Sequence, residues 1–189
     1  MAGRVEGKRV AILVADGFEE VELTSPRAAL HQEGAELSIV SPENGAIEAN
    51  RHREKGGSHD VDYNLQNADA NGFDALLIPG GLFSPDTLRR DPDAIEFVRA
   101  FFRQEKPVFS ICHGPQVLIS GDLVKGRSMT GFSAIQKDLE NAGAHVLDQS
   151  VVTDEGLVTS RSPGDLDDFN ARIVEELCEG RHSGQTRSL

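Results

Sequence analysis

Short apolar runs alternate with stretches of helical periodicity along most of this chain. Residues 9–15 (RVAILVA) are apolar at almost every position, as in a strand buried on both faces of a parallel sheet. Residues 35–40, 73–78 (FDALLI) and 107–111 (PVFSI) read the same way. Between them lie helical patterns. The first spans 21–32 and stops at Gly34; the second spans 93–104 and carries Ile95, Val98, Phe101 and Phe102. A short apolar helical run covers 116–119, and a helix over 133–141 is closed by Gly143. Residues 151–158 predict a hairpin turning at Asp154-Glu155-Gly156, and 165–179 predict the last helix. Residues 41–71 are polar, with charge and glycine clustered at 51–60, and predict an excursion from the core built around a small hairpin. The polar end, 181–189, predicts a frayed, disordered tail beyond one domain at 8–180.

Strands alternating with helices imply βαβ units and a mostly parallel sheet. In such open sheets ligands bind beyond the carboxyl ends of the strands. Three predicted strand ends carry unusual residues: 16–22, 79–86 and 112–115.

Composition narrows the function. With no Trp, one Tyr and a formal charge of -12, the chain lacks both the stacking aromatics and the cationic excess of a nucleic-acid binder. Two cysteines, Cys112 and Cys178, do not make a disulfide framework. Residues 1–8 are polar and predict no signal peptide, and no apolar stretch has the length of a membrane span. The expectation is a soluble cytoplasmic protein.

Cys112 stands between a buried strand and a helix, in Cys-His-Gly-Pro. A tight turn there presents a side chain at the sheet edge, as in the nucleophile elbow of hydrolases, and helix amides nearby favour thiolate. A buried structural cysteine is the plain alternative, and it is the reading adopted for Cys178. His113 has the chemistry of a proton shuttle, or caps the turn. Of Glu19, Glu20 and Glu22, at least two are expected only to complement the helix dipole; a third can meet the thiol. Gly80 and Gly81 offer backbone N–H groups to a developing oxyanion. Asp86 either orients His113 or caps a helix. The other histidines, His31, His52, His59, His145 and His182, have no spacing that builds a zinc site with the cysteines.

Four segments together resemble the DJ-1/PfpI superfamily, in its PfpI-like branch: ADGFEEVELTSP at 15–26, DALLIPGG at 74–81, KPVFSICHGPQVLI at 106–119 and VTSRSPGDL at 158–166. The resemblance runs from about residue 8 to about residue 180. It implies a flavodoxin-like α/β/α sandwich with a mostly parallel central sheet. It also implies Cys112 as elbow nucleophile, His113 as its neighbour, Glu22 as the glutamate against the sulfur, and Gly81 as an oxyanion amide. Asp86 matches an acidic residue supplied by the neighbouring subunit of a homodimer, some members forming hexamers; many members have Glu there, one methylene longer. No cofactor is implied. The 51–60 segment matches no motif.

The resemblance implies several functions. First comes an enzyme attacking small carbonyls or glycation adducts through Cys112, a glyoxalase or deglycase linked to stress protection. An intracellular cysteine peptidase comes next, then a non-enzymatic oxidation sensor or chaperone. Glutamine amidotransferases share the elbow but need a late His-Glu pair, and after Val151 the only histidine is His182, in the polar tail.

Overall fold

A computed structural model describes residues 3–189; Met1 and Ala2, part of the segment read for a leader, lie outside the described residues. Strand β1 (Arg9–Leu13) runs into β2 (Phe18–Glu19) and helix α1 (Glu20–Gln32). Strand β3 (Glu36–Ser41) follows, then the excursion: β4 (Ala46–Arg51), β5 (Glu54–Asp60) and β6 (Tyr63–Asn64). The chain returns through β7 (Ala75–Ile78), α2 (Phe83–Leu88), α3 (Pro92–Arg103), β8 (Val108–Ile111) and α4 (Pro115–Ser120). The last third holds β9 (Ser128–Met129), α5 (Gln136–Asn141), β10 (His145–Val146), β11 (Val151–Asp154), β12 (Leu157–Ser160) and α6 (Leu166–Glu179).

The main sheet has seven strands in the order β11-β12-β8-β7-β1-β3-β6. Every pairing is parallel except the β11–β12 hairpin. The apolarity of β7 and of β1 after Arg9 is thereby explained, because helices cover both faces. In β1, Val10 and Ile12 pack with Leu23 and Leu30 of α1 and Phe169 and Ile173 of α6. Their neighbours Ala11 and Leu13 pack the other way, with Val98, Phe101 and Phe102 of α3 and Val117 and Leu118 of α4. Each buried Leu, Ile or Phe side chain is worth about 1.5–3 kcal/mol. The expected three-layer α/β/α arrangement is what the chain forms. From β1 the strands proceed one way to β3 and then the other way to β7, so the order reverses at β1. Crevices form at such reversals.

The expected hairpin of the excursion is β4–β5, turning at His52-Arg53. The helix predicted over 133–141 begins as a 3-10 turn at Ser133–Ile135. The tail differs from expectation. Residues Ser183–Ser188 form a 3-10 turn, and Gln185 is fully buried. Arg127, also fully buried, donates to Gln185 Oε1 at 2.5 Å and to the Asp154 carbonyl at 2.7 Å, while Gln185 Nε2 donates to the Lys106 carbonyl at 3.0 Å. A buried guanidinium needs acceptors, and the polar tail supplies them; polarity there marks a docked segment rather than a frayed one.

Candidate active site

Three strand ends meet beyond β1, β7 and β8. At the end of β8 the chain turns sharply, and Cys112 takes a left-handed conformation with φ 62°. A non-glycine residue held there costs about 1–3 kcal/mol. Hydrogen bonds on either side hold it: the Cys112 N–H donates to the Ser160 carbonyl at 3.0 Å, and its own carbonyl accepts from the Phe132 N–H at 2.9 Å. Pro115 then opens α4. The elbow expected from Cys-His-Gly-Pro is present.

The thiol is buried, at 7% exposure. Its Sγ lies 3.3 Å from His113 Nδ1. The adjacent ring therefore does reach back, which sequence adjacency left open. His113 stacks on Phe132 with centroids 4.8 Å apart. Burial pushes its pKa down, which favours a neutral imidazole whose Nδ1 is placed to take the thiol proton during reaction. Burial also pushes the Cys112 thiol up; the Gly81 and His113 backbone N–H groups oppose it. Desolvation and the elbow amides therefore act on the thiol in opposite directions.

Glu22 sits in the first turn of α1 and is fully buried. Its Oε2 accepts from the Gly80 N–H at 2.8 Å, and its Oε1 has no nitrogen or oxygen partner. Burial raises its pKa to about 8, against the lowering effects of Cys112 and Gly80. At neutral pH the carboxyl carries a proton, and its free oxygen can donate to the sulfur or to an oxygen bound there. Two glycines make room. A Cβ on Gly80 would stand 2.5 Å from Glu22 Oε2 and 2.8 Å from the Cys112 Cβ; one on Gly81, at φ +89°, would stand 2.6 Å from the Glu19 nitrogen. The Pro-Gly-Gly after β7 is therefore required by close approach, beyond making a turn.

Asp86 is elsewhere. It lies on α2 with its side chain exposed, 3.9 Å from Arg90, and does not line the cavity of Cys112. Among the described residues no carboxylate of the same chain hydrogen-bonds His113.

Cys112, His113, Glu22 and Gly81 open into a cavity of about 530 Å³. Leu82, Phe83, Phe132 and Pro163 give it apolar walls, and Asn50, His52 and Arg53 reach it from the β4–β5 hairpin. Sequence reasoning missed these hairpin residues. The charge cluster at 51–60 was visible, but which way it folds depends on contacts distant in sequence. Glu19 and Glu20 supply them, which corrects their reading as dipole partners alone. Glu19 Oε2 accepts from the His52 N–H at 2.9 Å. Glu20 accepts from the Gly57 N–H at 2.9 Å and from the Arg51 guanidinium, with His59 at 3.3 Å.

Acidic and histidine donors close enough to share a cation, within 4.8 Å, come together at Glu176, Glu179 and His182, where Arg172 already pairs with Glu176. That group lies at the end of α6, and none of its members lines the Cys112 cavity.

A family model described as "DJ-1/PfpI family" matches residues 8–176. The chain belongs to the DJ-1/PfpI family. The Bacillus subtilis member "Putative cysteine protease YraA" is 49% identical over 170 residues, covering 90% of this chain and 98% of that protein. A two-domain Anabaena variabilis protein with DJ-1/ThiJ/PfpI-like and ferritin-like domains is 43% identical, with a TM-score of 0.84. That likeness covers 90% of this chain and 48% of the larger one, so this chain spans about half of it. Drosophila melanogaster DJ-1beta, at 24% identity, shares the fold with a TM-score of 0.84 over 96% of this chain and 94% of its own. These DJ-1/ThiJ structures have the flavodoxin-like α/β fold. Among the described residues, no helix is long and apolar enough to cross a membrane.

Proposed function

We propose that this DJ-1/PfpI protein is a cysteine-dependent enzyme acting on small reactive carbonyls or their glycation adducts. One observation carries the reading: Cys112 Sγ lies 3.3 Å from a neutral, buried His113 Nδ1, in a small cavity that also holds the Gly81 N–H and Glu22. As sulfur attacks a carbonyl carbon, the thiol proton passes to His113 Nδ1. The C–S bond forms, the π pair moves to oxygen, and that oxygen accepts from the Gly81 N–H and the Glu22 carboxyl. His113 returns its proton to the oxygen, giving a hemithioacetal. With an α-oxoaldehyde, a base moves the carbinol C–H hydrogen to the adjacent carbon as a proton while the hydroxyl proton passes to the neighbouring carbonyl oxygen. The resulting thioester takes up water, releasing an α-hydroxy acid and the thiol. No external oxidant enters.

A homodimer completes the site in this reading. Leu82 and Phe83 are each 64% exposed at the head of α2, on which Asp86 also stands. An apolar surface beside an outward carboxylate suits a second copy of the chain, whose Asp86 would orient His113. The cytoplasm suits the two free cysteines, and stress protection follows from the proposed substrates.

Peptide hydrolysis is the second reading, favoured by the name of the Bacillus subtilis relative, "Putative cysteine protease YraA". Methylglyoxal turnover by wild type and Cys112→Ala separates the two. Loss of turnover in Cys112→Ala supports the carbonyl enzyme; equal rates in both proteins would remove Cys112 as its nucleophile. Absence of carbonyl turnover in wild type, with cysteine-dependent cleavage of an unstructured protein, would favour the peptidase.

A further inference from the structure

We propose that the β4–β5 hairpin makes this a site for carbonyl compounds carrying a carboxylate, with Arg53 as the group that binds the anion. The inference deepens the carbonyl-enzyme reading and rests on Cys112 as its nucleophile.

Three cations stand at or beside the hairpin tip: Arg51, Arg53 and Lys55. Two are engaged, Arg51 with Glu20 and Lys55 with Glu48 at 3.0 Å. Arg53 has no ion-pair partner among the described residues, and it lines the cavity that contains Cys112. It is the one permanently charged cation among the lining residues.

The tip that carries it is tied down. Glu19 holds the His52 N–H, the Gly17 N–H donates to the Glu48 carbonyl at 2.8 Å, and Glu20 gathers Arg51, the Gly57 N–H and His59. His59 also packs edge-on against Phe18, centroids 5.5 Å apart. Arg53 is thus presented from a fixed backbone, which lowers the entropy cost of using it.

Arg53 is the cationic feature of this cavity, set against the Glu19 carboxyl group in the same lining. The whole chain carries -12, so an anion meets repulsion over most of the surface. Of the two carboxyl groups lining the cavity, Glu22 holds a proton at neutral pH and Glu19 accepts from the His52 N–H. A guanidinium fork matches a carboxylate through two parallel hydrogen bonds. Asn50 adds a neutral polar group, and Leu82, Phe83, Phe132 and Pro163 suit the hydrocarbon between carboxylate and carbonyl.

The test uses two alkylating agents with the same reactive carbon, iodoacetate (an anion) and iodoacetamide (neutral). Their rates at Cys112 are read by peptide mass spectrometry, which resolves Cys178 separately. The iodoacetamide rate reports thiol reactivity and folding. The ratio of iodoacetate to iodoacetamide rates reports anion recognition. Arg53→Gln is expected to lower that ratio at least about fivefold at low salt, with Arg53→Lys restoring part of it and high salt erasing the difference. An identical ratio in wild type and Arg53→Gln overturns the inference and leaves the carbonyl reading standing. Conversely, a ratio that falls while methylglyoxal is not turned over at all keeps Arg53 as an anion site and removes the carbonyl enzyme.

Discussion

Glu22 concentrates the chemistry of the site in one carboxyl group. It is fully buried, holds the Gly80 N–H, and faces Cys112 with its pKa raised to about 8. Its ordinary value is 4.5. Between about pH 5 and pH 8 the folded protein keeps a proton that the unfolded chain has released. Stability therefore falls as pH rises through that window, by at most about 1.4 kcal/mol per pH unit. Glu22→Gln removes the titration and should flatten this part of the profile. Urea denaturation of both proteins at pH 5.5 and pH 8 checks it; an unchanged slope in the variant assigns the effect to another group. The type of residue needed was legible in the GFEEVE run. Which glutamate turns inward was not, from helix periodicity and dipole arguments alone; the family resemblance named Glu22. How far desolvation opposes the elbow amides is a property of the packed site, invisible in a local motif.

At the scale of elements, the first strand-to-helix connection organises the site twice. Glu22 points inward to the elbow, while Glu19 and Glu20 fasten the β4–β5 hairpin. Glu20 shows how firm this is: Arg51, the Gly57 N–H and His59 hold its pKa at about 2. Its contribution is fully present above its ordinary pKa and is lost as pH falls below that value toward about 2. At pH 7, Glu20→Gln should speed amide hydrogen exchange in Ala46–Asp60 and leave β1 and β7 protected. Uniform exchange across the chain would show global destabilisation instead, and no change would show that backbone pairing alone holds the hairpin. The central strands β1, β7 and β8 were legible because residues buried on both faces must be largely apolar. The short β2, β6, β9 and β10 were not, since two-residue strands carry no periodicity.

For the whole molecule, the unmet requirement of His113 is the informative feature. Its ring reaches Cys112 in its own chain, whereas Asp86 faces outward on α2. If a second copy supplies the acid, Cys112→Ala and Asp86→Ala proteins should each be impaired alone. Co-refolded in equal amounts, they should recover about a quarter of wild-type methylglyoxal turnover, because half the dimers are mixed and each has one complete site. No recovery, with mixed dimers verified by mass, would put Asp86 outside the site. The tail belongs to this scale too. Its polarity made it read as disordered, yet Gln185 and the backbone around it answer the buried charge of Arg127, more than fifty residues away.

Taken by itself, the sequence determined the α/β class, the strands of the core, the elbow at Cys112 and the glycines beside it. These follow from local rules: apolar runs where both faces are covered, glycine where a Cβ has no room, a tight turn between strand and helix. Only the tertiary structure decided what faces the cysteine and how that changes its proton affinity. It brought His52 and Arg53 into the cavity, turned Asp86 away and docked the tail. Each of those outcomes depends on desolvation or on hydrogen bonds between distant segments, and such terms exist only once the chain has folded.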